Sequence, residues 1–156
     1  MGARRKAREL AMQALFFMDE RRDFSEAMFE RFCANFAPKS DVRPYFQRLM
    51  QGVLRHRDGL DALIERFSVN WSLNRMSGVD RNLMRIAVFE LACCRDIPAK
   101  VSINEAVDIG KKFGTEESGA FINGIVDSIR AALDKGEIER FAPSPEEPGA
   151  EMEVQS

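Results

Sequence analysis

Four basic residues, Arg4, Arg5, Lys6 and Arg8, crowd the start of the chain, and an aromatic ring, Phe16, follows two helical turns later. Guanidinium and ammonium groups neutralise phosphates, and an exposed ring gives an unpaired base a surface to stack on, worth about 1–3 kcal/mol per base. Residues of these types along one helix suit single-stranded nucleic acid. A solvated helix start with Phe16 packed on a neighbour fits the same residues, and their pattern alone leaves both readings open. Phe121, with Glu117 one turn before it, is either a second stacking ring or an aromatic at the edge of the core.

Other chemistries find little support. His56 is the only histidine, which argues against a His-based metal site or triad. Cys33, Cys93 and Cys94 form an odd set with no CxxC pair, so neither a disulfide framework nor a zinc site is expected, in keeping with a reducing cytoplasm. Ser72, Ser77 and Ser118 have no histidine placed to activate them. The pair Gly114 and Gly119 lacks the Lys-Ser/Thr of a phosphate loop and encloses glutamates. Glu90 and Glu105 are expected to accept hydrogen bonds or pair with arginine rather than to catalyse. No enzyme, cofactor or metal is expected.

A chain of 156 residues, 45% apolar and 31% charged, suffices for one domain with its own core. The net charge of −2 hides an asymmetry, because Glu146, Glu147, Glu151 and Glu153 lie in a C-terminal stretch without Lys or Arg. Residues 141–156, with three prolines among those glutamates, read as a disordered acidic tail; residues 1–140 without it carry about two positive charges. No apolar run is long enough for a membrane span, and Glu9 and Gln13 interrupt any reading of the first residues as a signal peptide.

The elements that must position these residues are helices. The stretch from Val79 to Cys94 is apolar on more than one face and is expected to be the central helix. Before it, a first helix from about Arg4 to Met18 turns Leu10, Ala11, Ala14, Leu15, Phe17 and Met18 inward, with Arg5, Glu9, Met12 and Phe16 on the opposite side. Asp23 and Glu26 have capping-box spacing for a second helix. A third opens near Pro44 and breaks or bends at Arg57-Asp58-Gly59 before a further helical piece to Phe67. After the central helix, Ser102 with Glu105 marks another capping box, whose helix carries Phe113 on its inward stripe and stops at Gly114. Thr115 caps the last helix, and Asp80-Arg81 is either a first-turn charge with a solvated base or a protein contact. The sum is an all-α, compact bundle of about seven helices.

Laid end to end, RRKARELAMQALF, GVDRNLMRIAVFEL, Pro98 with VSINEAVDIGKKFG, and ESGAFINGIVD resemble the NusB transcription antitermination factor family. The likeness runs from about Arg4 to Asp127, with residues 21–70 matching in helical pattern rather than in wording. It implies an all-helical fold without catalysis and binding to boxA RNA in nascent ribosomal RNA transcripts. The partners it implies are the small-subunit ribosomal protein that serves as NusE and, through it, an RNA polymerase antitermination complex with other Nus factors. It carries RNA binding onto Arg4, Arg5, Lys6, Arg8, Glu9, Gln13, Phe16, Glu117, Ser118 and Phe121, and a protein-partner contact onto Asp80, with Arg81 beside it. Phe16 stands where the family has tyrosine and Glu117 where it has aspartate; the first keeps the ring and loses a hydroxyl. The same fold fronts a family of ribosomal RNA cytosine methyltransferases, but this sequence ends before any such catalytic domain, so the free-standing factor is the expectation. A purely protein-binding helical module is the competing reading, and self-association into a homodimer is left open.

Overall fold

The computed structural model describes residues 2–141. Among them it contains six α-helices, one 3₁₀ turn and no strand: α1 (Gly2–Glu20), α2 (Glu26–Asn35), α3 (Arg43–Phe67), the turn Leu73–Arg75, α4 (Gly78–Cys93), α5 (Ala99–Phe113) and α6 (Ser118–Asp134). The expected acidic tail lies outside the described residues except for Phe141, which is packed rather than loose: its ring stacks on His56 at 5.3 Å.

The core is built around α4, as its all-round apolarity predicts. It packs against α1, α3, α5 and α6, and Leu83, Met84, Ile86, Ala87, Val88 and Phe89 are almost wholly buried. Ser77 caps it, its hydroxyl accepting from the Asp80 amide at 3.1 Å. Burial of each large side chain is worth roughly 1.5–3 kcal/mol, so this helix contributes a major share of the core. Several of its polar residues are paired inside. Arg85 is bidentate to Asp61 at 2.7 and 2.9 Å and reaches Asp19 at 3.0 Å, tying α4 to α3 and α1.

The helix count differs from the expected seven because α3 is one continuous helix of 25 residues. Its apolar spacing carries through Gly59 to Leu60 and Ile64, both fully buried, and the Phe141 ring covers Gly59 from outside. Farther back on α3, Gly52 is required by close approach, since a Cβ there would fall within the Phe89 ring. Two caps also move. α2 is capped by Ser25, whose hydroxyl accepts from the Met28 amide at 3.2 Å, while Asp23 accepts from the Ser25 amide. α5 begins at Ala99 behind Pro98, and the Val101 and Ser102 amides already bond to the Pro98 carbonyl. Ser102 is therefore buried inside the helix, and Glu105 is turned towards α1 instead of back to a cap.

No helix among the described residues is long and apolar enough to cross a membrane, and no group of His, Cys, Asp and Glu there could hold a metal ion.

Candidate nucleic-acid interface

The outward side of α1 is a row at spacings of three and four: Lys6, Glu9, Gln13 and Phe16. Lys6, Gln13 and Phe16 are exposed and Glu9 is half-buried. This row lies one step round the helix from the expected one, because Met12 is buried in the core at 3% exposure. Phe16, at 36% exposure, keeps an open edge; its other side lies on Gly78 at the start of α4.

The four basic residues at the front divide by environment. Arg4 is exposed, 3.9 Å from Asp96 and with its guanidinium 4.8 Å from the Tyr45 ring centre. Lys6 projects into solvent. Arg5 donates through Nε and Nη2 to Glu105 and through Nη2 to Asp108 at 3.1 Å. Arg8 is buried: Nε donates to Glu90 at 2.9 Å, Nη1 to Glu105 at 2.8 Å, and its guanidinium lies over Tyr45. Tyr45 donates its hydroxyl to Glu90. Arg8 thus joins α1 to α4 and α5, and its guanidinium is not presented to solvent as a free phosphate ligand would be.

The charges follow from these contacts. The Arg5 hydrogen bond, with the added charge of Arg8, holds the Glu105 carboxyl below its ordinary range. Burial and the adjacent Glu90 charge push the Tyr45 phenol up, so it stays protonated and serves as a donor. Hydrogen bonds from Arg48 hold the Asp96 carboxyl down. Between the starts of α1 and α5 lies a cleft of about 780 Å³, lined by Ile97, Pro98 and Val101 and by Arg4 and Arg5.

The second predicted cluster sits at the junction of α5 and α6. Glu117 is exposed and Phe121 half-buried, packed against the core edge. Ser118 is buried, and its hydroxyl accepts from the Thr115 amide at 2.9 Å, which shapes the turn; Thr115 is not the expected cap, since α6 begins at Ser118 behind Glu117, without a side-chain cap. Gly114 closes α5 as expected, at φ −101°, with its amide bonded to the Gly110 carbonyl. What links the clusters is the end of α5. Lys112 reaches Glu9 of α1 at 3.2 Å, and Phe113, expected inside, is 37% exposed with the Lys112 ammonium 5.1 Å from its ring centre. Sequence reasoning missed Lys112 and Phe113 as candidate surface residues. The signal was there in two lysines and an aromatic running straight into a glycine.

Asp80 and Arg81 lie at the start of α4. Arg81 bonds to Asp19 at 2.8 Å and donates to the carbonyls of Leu73 at 3.1 Å and Met76 at 2.7 Å, pinning the connector between α3 and α4. That connector exposes Val69 at 92% and Trp71 at 50%. Asp80 is 8% exposed, with Oδ1 buried and unbonded within the described structure.

Comparison with known proteins agrees with this architecture. The sequence profile of the NusB family matches residues 5–131. The transcription antitermination protein NusB of Desulfatibacillum aliphaticivorans is 55% identical over 137 residues, 88% of this chain and 96% of that protein. The T. maritima NusB structure superposes with a TM-score of 0.73 at 39% identity, covering 86% of this chain and 97% of that one. A crystal structure of antitermination factors NusB and NusE in complex with dsRNA gives a TM-score of 0.75 at 28% identity, over 85% of this chain and 99% of the matched one. With a family match across most of its length, a relative 55% identical over 137 residues and the same helical fold, the chain belongs to the NusB family.

Proposed function

We propose that the protein is a transcription antitermination factor that binds boxA RNA in nascent ribosomal RNA transcripts together with NusE and helps assemble the antitermination complex on RNA polymerase. The observation that carries the reading is the outward row on α1, Lys6, Gln13 and Phe16 exposed with Glu9 half-buried among them, in a chain whose relatives are named for antitermination. Arg4, Arg5 and Lys6 hold phosphates, and Phe16 and Phe121 offer rings to bases, with Phe113 exposed between the two clusters. Glu9, Gln13 and Glu117 supply groups for base edges, and Arg8 and Ser118 hold the face in shape. The partner surface centres on the connector and the start of α4, where Arg81 fixes the backbone and Asp80 supplies the acidic group.

The other reading, a helical module that binds only protein, draws on the acidic partners already held by the front arginines. Titration of a fluorescent boxA RNA, with and without NusE across a salt series, separates the two. The adaptor reading expects preference for boxA over a scrambled RNA, tightening with NusE, and a log–log salt slope of about 0.7 per phosphate contact. A variant with Arg4→Ala and Lys6→Ala should bind RNA more weakly while keeping NusE. Equal, weak binding of both RNAs, unchanged by NusE, would leave the module.

A further inference from the structure

We propose that Asp108 is an internal competitor for RNA phosphate at Arg5, so that α5 limits the affinity of the face it helps to build. The inference rests on the RNA-binding reading above and concerns how tightly the face binds. Two carboxylates meet Arg5, and their surroundings differ. Glu105 is mostly covered, its side chain 18% exposed, and also takes a hydrogen bond from Arg8. It therefore orients both arginines. Asp108 is 54% exposed, and its contact with Arg5 is to the Nη2 donor that Glu105 also uses.

A phosphate arriving at the half-exposed Arg5 meets both effects of Asp108. It competes with Oδ2 for the outer guanidinium edge, and it approaches a fixed negative charge. The opposite effect, in which Asp108 helps by holding Arg5 still, is already supplied by Glu105, which bonds both Nε and Nη2. Removing the Asp108 charge thus leaves the guanidinium oriented and removes its rival. Exposed ion pairs are weak, so the gain is about two- to fivefold in affinity. A phosphate contact carries no sequence information, so boxA and scrambled RNA should gain alike. Freed of Asp108, Arg5 also releases more counter-ion on binding, steepening the salt slope by up to about 0.7.

The test compares wild type, Asp108→Asn and, as a charge control, Asp41→Asn in the exposed turn before α3, titrated with both RNAs across a potassium chloride series. Circular dichroism of each variant checks the fold. Tightening of both RNAs by Asp108→Asn, with a steeper slope and a smaller effect from Asp41→Asn, supports the competitor. Unchanged or weaker binding in Asp108→Asn overturns it, as does equal tightening in Asp41→Asn, which would reduce the effect to net charge. If wild-type protein binds neither RNA above the Arg4→Ala, Lys6→Ala variant, the RNA reading itself fails and takes this inference with it. RNA binding by wild type with no response in Asp108→Asn fails the inference alone.

Discussion

The Phe16 ring rests on the backbone of Gly78: a Cβ added to Gly78 would stand 2.6 Å from one ring carbon and 2.7 Å from the next. The first residue of the central helix thus sets the pose of the aromatic at the far end of α1. Phe16→Ala should weaken boxA RNA binding by about 1–3 kcal/mol, the worth of one stacked base, while Phe16→Tyr keeps the ring. Gly78→Ala should tilt the ring outward and weaken binding by less than Phe16→Ala, without unfolding the protein. RNA titration and circular dichroism check both. Full affinity in Gly78→Ala would mean that the ring's pose is immaterial.

Lys6 and Arg8, two residues apart in sequence, should respond oppositely. Arg8→Met leaves Glu90 buried with only the Tyr45 hydroxyl, and breaking a buried pair costs about 3–5 kcal/mol. Urea unfolding at neutral pH should show that loss. Lys6→Ala should leave the unfolding midpoint unchanged and lower RNA affinity.

Gly52→Ala should destabilise by about 1–3 kcal/mol, since the new methyl must displace Phe89 from a filled core. Combining it with Phe89→Leu should cost less than the sum of the two single changes, because both act on one space. Additive losses in denaturant titrations would contradict the contact.

Stability should fall at both ends of the pH range. The carboxyls of Asp19, Asp96 and Glu105 are held low in the fold by arginine, so their contribution is present above the unfolded values near pH 4. It is lost as pH drops through the lower folded values. The Tyr45 phenol is raised by burial, so its contribution is present below the unfolded value near pH 10 and fades as pH climbs past it. From these groups, urea midpoints should decline below about pH 4 and above about pH 10.

Local pattern revealed α4 and the existence of each α-helix, because periodicity and apolarity are carried by neighbouring residues. What it misjudged was decided from far along the chain. Gly59 reads as a break until Phe141 is found lying over it. Arg8 reads as a phosphate ligand until Glu90 and Glu105, on two other helices, are found to enclose it. Ser102 reads as a cap until Pro98 is seen to have started the helix a turn earlier. Of the interface, the residue types were legible, whereas which side of α1 faces water was not, since that depends on where Met12 and Arg8 find partners.

Arg81 grips the connector by main-chain oxygens, those of Leu73 and Met76, and every amino acid supplies that atom. The hold is therefore indifferent to which side chains the connector displays. Trp71, Asn74 and Arg75 face solvent on a backbone whose path is anchored from beneath. Side chains at these positions can therefore change without loosening the mount, so the shape of this corner does not depend on what it displays.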